Sequence, residues 1–231
     1  MSSIAEQGAA RRTPLTRDRV LQTALELADT SGIASLTIRR LAEHLGVEAM
    51  SLYYHVANKE AILDGVVDLV FREIEQVVGG FEVPESDAAW KASLRARILG
   101  ARRVMLRHPW APAVMDTRAD LGLTQARYVD SVVGTLRSGG FSYDLVHHSM
   151  HALGSRMFGF TQELGDDNAS SGGDLAQLAE HVPHLANMLA VVAHTDADST
   201  LGWCDDQFEF EFGLDIVLDG LERAQRRDAR D

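Results

Sequence analysis

The residues with the most evident chemistry lie on the outward side of a short predicted helix over about 48–54, and beside it. They are Glu48, Ser51, Tyr54 and His55, with Arg39 and Lys59 as flanking cations. An α-helix fits the major groove of DNA, where such side chains can reach base edges or phosphates. Lys59 also stands at the start of the next predicted helix, whose free N–H groups attract phosphate. The pattern favours a nucleic-acid interface, although a helical hairpin that packs against protein would have the same shape.

Three short helices are predicted to position these side chains. The first covers about 16–31, with Thr16 as its N-cap and Gly32 as its stop. The second covers about 37–44, and a turn over 45–47 leads into the third. The apolar residues that can form their shared core are Leu36, Leu41, Leu45, Val47, Leu52 and Val56. Helix, glycine-containing turn and helix is the order of a DNA-binding helix-turn-helix.

The remaining sequence has a helical pattern with no strand-like alternation. Predicted helices cover about 58–79, 88–107, 111–116, 124–138, 143–164, 175–193 and 205–226, with 81–87 as a linker and 165–174 as a polar loop. The first of these helices is expected to be capped by Asn58 and ended by Gly79 and Gly80. The sequence therefore predicts an all-α protein.

Composition and charge restrict the function classes. The 231 residues are 45% hydrophobic, and the single cysteine, Cys204, excludes an intrachain disulfide and favours a reducing compartment. No signal-peptide core and no long uncharged apolar run is present, so we expect a cytoplasmic protein with no membrane partner. The net charge of −12 argues against nucleic acid, but residues 1–60 carry 7 basic and 7 acidic residues, whereas 61–231 carry 15 and 27. A neutral head with locally placed cations can still bind phosphate.

Residues 17–64 closely resemble the DNA-binding domain of the TetR family of bacterial transcriptional regulators. The resemblance rests on the runs ADTSGIASLTIRRLAEHLGV and SLYYHVANKEAIL. It implies a repressor that binds a palindromic double-stranded operator as a homodimer and is released by a small-molecule effector. The positions that it matches to DNA contacts are Arg39, Ala49, Met50, Ser51, Tyr53, Tyr54, His55 and Lys59. Ala49 and Met50 replace a glutamine and a proline of the tetracycline-repressor branch, so we expect a different operator.

The last predicted helix carries a broad apolar stripe, which must face another surface. Its members are Phe208, Phe212, Ile216 and Leu221, widened by Leu214, Val217 and Leu218. The stripe is consistent with an intrachain core helix or with a homodimer seam. The run FEFGLDIVLDGLE resembles the last helix of the tetracycline-repressor branch, which implies dimerisation together with the helix over 143–164.

A ligand chamber is expected in the C-terminal part, where apolar bulk and a few polar groups are mixed. The candidate residues are Trp110, Met115, Arg118, His151, Ser155, Phe158 and Glu163, each of which is also consistent with a plain core role. The family resemblance matches Thr117 and Arg118 to a signal-linking pair and Glu163 to an acidic residue near bound magnesium. The histidine that binds magnesium in that branch has no counterpart here. A tetracycline–magnesium effector is therefore not expected, no cofactor or metal is predicted, and the effector is unknown.

The resulting division is a flexible arm over 1–15, a helix-turn-helix DNA-binding domain over 16–62, and a ligand-binding and dimerisation domain over 63–231. One alternative comes from His147 and His151, whose spacing of four residues can hold a metal on a helix. That reading gives a helical metal-binding protein or enzyme. No acidic residue lies between the two histidines and no catalytic motif is present, so a surface or interface role is favoured and no enzyme activity is expected.

Overall fold

The structure is a computed structural model that describes residues 14–80, 82–85, 87–118, 120–163, 181–184, 186–187 and 206–229. Over these residues it is helical and has no strand, which confirms the all-α prediction. The helices are α1 (Arg17–Ser31), α2 (Ile38–Leu45), α3 (Ala49–Leu52), α4 (Lys59–Val77), α5 (Trp90–Arg107), α6 (Ala111–Met115), α7 (Leu123–Ser138), α8 (Tyr143–Glu163) and α9 (Asp206–Asp228). Most of the expected arm, the loop over 165–174 and most of the predicted helix over 175–193 lie outside the described residues.

The chain divides into two compact units, and the division falls inside α4, between Leu69 and Val70. Three of the four helices that begin in the first unit, α1, α2 and α4, start at a residue whose side chain caps the helix. The side chain of Thr16 accepts a hydrogen bond from the backbone N–H of Arg19 at 3.2 Å, and Thr37 accepts one from Arg40 at 3.2 Å. The side chain of Asn58 accepts one from the backbone N–H of Ala61 at 2.8 Å. These caps satisfy N–H groups that the helices leave without partners.

The core of the first unit is built by apolar residues at helical spacing. Leu41, Leu52 and Val56 are buried, as the pattern predicts, whereas Val47 is only half-buried at the turn. Gly65 marks a close approach of α4 to α1, because a Cβ there would stand 2.5 Å from a methyl carbon of Leu21. The short helices are therefore fixed on a tightly packed base.

In the second unit, α5 and α9 are joined by ion pairs along one side. Lys91 contacts Glu222 at 2.9 Å, and Arg95 contacts Glu211 at 2.7 Å and Asp215 at 2.6 Å. The side chains of these pairs are partly exposed, so each pair contributes only modestly to stability. They lie beside the buried side of α9, which carries Phe210, Leu214 and Leu218.

The second half of α4 is held by cations from two other helices. Glu73 accepts hydrogen bonds from Arg107 at the end of α5 and from the buried His108, whose Nε2 lies 2.9 Å from its carboxylate. Glu75 pairs with Arg127 of α7 at 2.7 Å. Burial opposes ionisation of Glu73, but the hydrogen bonds from His108 and Arg107 outweigh it and lower the pKa of this carboxyl.

We expect Glu73→Gln to lower the free energy of unfolding by about 1 kcal/mol at pH 7, because an amide replaces a carboxylate that accepts charged donors. The pKa of Glu73 is lower in the folded than in the unfolded chain, so its contribution is present above the unfolded value of about 4.5 and is lost as the pH falls through the folded value. Denaturant unfolding of both proteins between pH 7 and pH 3 measures the difference. Glu85→Gln, at an exposed position, is the control. A difference that stays constant down to pH 3 contradicts the assignment.

Candidate nucleic-acid interface and ligand cavity

The candidate DNA-reading segment is α3, which is shorter than the sequence predicts. Helical structure covers only Ala49–Leu52, and the chain then turns, with the N–H of His55 and that of Val56 each 2.9 Å from the carbonyl oxygen of Leu52. Leu52 and Val56 are buried, four residues apart. This turn is tighter than the regular helix over 48–54 that the periodicity suggests. The buried pair fixes which residues between and around it point outward.

The residues predicted to contact DNA lie on the outer side of the first unit. Met50, Tyr53 and Tyr54 are exposed although they are large, and Tyr54 is 89% exposed. The eight positions divide into exposed Arg39, Met50, Tyr53, Tyr54 and Lys59, and half-buried Ala49, Ser51 and His55. Exposing apolar and aromatic groups of this size to water costs free energy, and a partner surface that covers them removes this cost.

The cations near α3 are available to phosphate groups in different degrees. Arg39 on α2 pairs with Glu43 at 2.9 Å, one helical turn away, and both side chains are largely exposed. Such a pair is weak in water, so a phosphate can replace the carboxylate. Arg40, which the sequence interpretation did not select, donates to the hydroxyl of Ser31 at 3.1 Å. Lys59 lies at the first position of α4, as predicted.

The second unit contains an apolar cavity of about 250 Å³. Five of the helices that the structure describes contribute to its wall. The lining residues are Phe71, Ile74, Ile98, Ala101, Met105, Met115, Leu121, Gln125, Tyr128, Val129, Val132, Met150, Leu153 and Gly154. Helical spacing on α5, α7 and α8 indicates which faces are buried, but the gap between those faces has no signature in the sequence.

The predicted ligand residues are spread over several places. Met115 lines the cavity, whereas Trp110 is buried without lining it. Arg118 is half-buried and donates to the hydroxyl of Thr117 at 3.1 Å, and His151 is exposed on α8. Ser155, Phe158 and Glu163 belong to α8, but their side chains lie outside the described residues.

A buried polar group stands beside the cavity wall. Arg97 of α5 donates to the hydroxyl of Ser131 at 2.7 Å and to the backbone carbonyl of Glu82 at 2.7 Å. Burial raises the pKa of Tyr128 to about 12, an effect that the charge of Arg97 opposes. Tyr128 is therefore a neutral phenol at physiological pH, and its ring packs on that of Phe71 with centroids 5.8 Å apart.

The predicted apolar stripe of α9 is divided between two faces. Phe208, Phe212 and Ile216 are exposed at 62%, 56% and 54%, and the rings of the two phenylalanines stack at 6.3 Å. Leu221, which the sequence places with them, is buried instead, on the side of α9 that holds Phe210, Leu214 and Leu218. The predicted stripe is thus two separate faces of α9, one buried and one exposed, with acidic residues such as Glu211 and Asp215 between them.

The histidines of α8 are on the surface. His147, His148 and His151 are exposed, and the rings of His147 and His151 lie 4.7 Å apart. Within the described part of the chain, no three metal-ligating side chains come together in a group that could hold an ion. Likewise, none of the described helices is long and apolar enough to cross a membrane.

A helix-turn-helix with an exposed, polar recognition segment defines a class of DNA-binding proteins, and comparison with known families agrees. Residues 20–66 match the family described as bacterial regulatory proteins, tetR family, and residues 83–225 match the tetracyclin repressor-like C-terminal domain. The chain belongs to the TetR family. It is a DNA-binding transcriptional regulator.

Individual relatives extend over nearly the whole chain. An HTH-type transcriptional regulator of Saccharopolyspora erythraea is 30% identical over 94% of this chain and 88% of its own length. The class D tetracycline repressor of Escherichia coli is 29% identical over 90% of this chain and 89% of its own length. Among solved structures, ActR of Streptomyces coelicolor in complex with actinorhodin has a TM-score of 0.69 at 28% identity and covers 92% of this chain and 99% of its own.

We expect Tyr54→Ala to weaken binding to the operator by tenfold or more, because the exposed ring lies on the segment that is predicted to contact base edges. Binding to unrelated DNA should change less, since phosphate contacts dominate it. Fluorescence anisotropy with specific and unrelated duplexes at one salt concentration measures both. Tyr54→Phe keeps the ring and separates its contribution from that of the hydroxyl. Unchanged operator affinity in Tyr54→Ala would place the recognition surface elsewhere.

Lys59→Ala is expected to weaken binding to all DNA sequences alike and to reduce the slope of log affinity against log salt by about one unit. The reason is that Lys59 lies at the first position of α4, where it would neutralise one phosphate. Titrations at several salt concentrations give the slope. Arg103→Ala removes one exposed positive charge from the second unit and should leave the slope unchanged. Equal slopes for wild type and Lys59→Ala would exclude the phosphate contact.

Proposed function

We propose that this regulator binds a palindromic operator as a homodimer and leaves it when a small molecule occupies the cavity of the second unit. The observation that supports this most is that one helix, α4, takes part in both sites. It begins at Lys59, beside the recognition segment, and it contributes Phe71 and Ile74 to the cavity wall. A change at the cavity therefore acts on the same helix that carries a predicted DNA contact.

The exposed face of α9 supports the homodimer. Phe208, Phe212 and Ile216 recur every four residues, which places them along one side of the helix. Burying such side chains contributes about 1.5–3 kcal/mol each when they pass fully from water into an interface. A two-fold partner is the natural occupant, because a palindromic operator requires two recognition segments related by the same symmetry.

Release is proposed to be a shift between two forms of the dimer, of which only one spaces the recognition segments for successive major grooves, roughly 34–36 Å apart. A ligand that fits the cavity better in the other form draws the population away from DNA. The cavity wall includes Phe71 and Ile74 of α4 and Met115 of α6, so these residues would sense the ligand directly. By linkage, binding of operator DNA must lower the affinity of the protein for the ligand by the same factor.

The proposed function is tested by selecting bound sequences from random double-stranded DNA with the purified protein. The expected product is a palindrome whose half-sites are about one helical turn apart. The promoters that carry it then serve in a reporter assay, where a repressor lowers expression. Recovery of no preferred sequence at low salt, or of a single unpaired half-site, overturns the dimeric operator.

The seam on α9 predicts that Phe212→Asp separates the dimer, because a carboxylate would be buried at the centre of an apolar surface. Sedimentation velocity should show a monomer, and operator affinity should fall at least tenfold. Leu123→Asp is the matched control, since Leu123 is a 78% exposed leucine at the start of α7. A Phe212→Asp protein that sediments like the control contradicts the assigned seam.

A further inference from the structure

We propose that the cavity of the second unit takes an uncharged, largely apolar ring compound of small size, held without a metal ion. The inference rests on the proposed function for its regulatory meaning, but the cavity itself carries the chemistry. Of the 14 described lining residues, none has a charged side chain. Only Gln125 and Tyr128 offer polar atoms.

The absence of charge along the described wall selects against an ionised ligand. Moving an ion from water into apolar surroundings is costly unless a counter-charge meets it. Arg97, a buried cation of α5, is not among the described wall residues, and it donates to Ser131 and to the carbonyl of Glu82. On the described part of the wall, an anionic group would therefore meet methyl groups and rings rather than a cation.

The same wall does not suit a metal-bridged ligand. Magnesium and calcium ions prefer carboxylate and other oxygen ligands, and zinc prefers histidine or cysteine. Among the described lining residues, only the Gln125 side-chain carbonyl and the Tyr128 hydroxyl offer oxygen, and no carboxylate, imidazole or thiol is present. His151, a predicted ligand residue that follows Met150 in α8, is exposed and does not line the cavity.

Volume and side-chain types narrow the ligand further. A volume of about 250 Å³ lies just below the usual range of about 300–1,000 Å³ for drug-sized ligands, so a molecule of two or three rings is favoured. Met105, Met115 and Met150 are flexible and polarisable, and thioethers make favourable contacts with aromatic rings. Gln125 can donate to or accept from a single polar group on such a molecule.

Two versions of one ring system, one uncharged and one charged, test the proposed ligand class directly. The probes are N-phenyl-1-naphthylamine and its sulfonate, 8-anilinonaphthalene-1-sulfonate, which share their rings and differ in charge. The full-length protein should bind the uncharged probe at one site per chain at least tenfold more tightly than the sulfonate. Addition of EDTA or magnesium chloride should not change the affinity. Tighter binding of the sulfonate, dependence on magnesium, or saturable binding of neither probe overturns the proposal.

Variants locate the bound probe. Gly154 lines the cavity, and a Cβ there would meet no atom within 4 Å. The side chain of Gly154→Leu therefore projects into the cavity and should weaken binding of the uncharged probe at least tenfold. Gly154→Ala should change the affinity only slightly. Leu121→Asp adds a carboxylate to the wall at a position that is 60% exposed, where the fold tolerates it. It should weaken the uncharged probe at least tenfold, and Leu123→Asp, which does not line the cavity, should not. Equal affinity in all four variants excludes this cavity as the site.

Operator binding in the presence of the uncharged probe separates the two proposals. If the probe binds at the cavity and lowers operator affinity, ligand chemistry and release are both supported. If it binds there and operator affinity is unchanged, the ligand class holds and the proposed release by an occupant of the cavity fails. If the probe does not bind while the protein still selects a palindrome, the proposed dimeric operator is supported and the proposed ligand class is wrong.

Discussion

The placement of the recognition surface depends on the burial of one side chain, Leu52. A helix of four residues is far too short to be stable alone, because forming the first turn costs more than its few hydrogen bonds return. Leu52 is completely buried, together with Leu41 of α2, and this contact replaces the stability that length would give. The same burial leaves Met50 and Tyr54 no inward position. Exposure of Met50 and Tyr54 is thus a consequence of the burial of Leu52 and, one turn later, of Val56.

A second constraint is that the apolar residues of one helix, α4, contribute to the cores of both units. Ile62 and Val66 are buried in the first unit, and Val70 and Ile74 continue the spacing of four residues into the second. Between and beside these positions, Glu73 and Glu75 are carboxylates rather than apolar residues, and each meets a cation from another helix. These ion pairs hold the side of α4 that carries Glu73 and Glu75 against cations. The apolar residues of α4 therefore lie on its other sides. The cavity wall at Phe71 and Ile74 is a result of that placement.

Local chemistry made much of the fold readable from the sequence. The caps at Thr16, Thr37 and Asn58 are short-range interactions between a side chain and the backbone three residues on, and they occur where they are expected. The end of α3 was not foreseen, because Leu52 and Val56 satisfy a helical period whether or not the helix continues between them. Local pattern specifies burial, and tertiary contact decides the path of the backbone.

The cavity could not be predicted from the sequence, for a related reason. The periodic positions of α5, α7 and α8 identify buried faces, but whether three faces close on one another or leave a gap depends on side chains that are far apart in the chain. Gly154 illustrates this, since the sequence shows only a helical glycine and the structure shows empty space beside it. The candidates chosen by polarity, such as Arg118 and His151, are not among the lining residues, because the described wall is apolar.

Helix α9 shows how a single helix separates an intrachain contact from an intermolecular one. Its buried residues, its acidic residues and its exposed apolar residues form three adjacent stripes, in that order around the helix. The acidic stripe pairs with Lys91 and Arg95 of α5, and together with the burial of Phe210, Leu214 and Leu218 it fixes the rotation of the helix. With that rotation fixed, Phe212 and Ile216 cannot turn into the core of their own chain. An apolar surface held outward by ion pairs, with charges along one edge, has the composition of a protein interface with a hydrophobic centre and a polar rim.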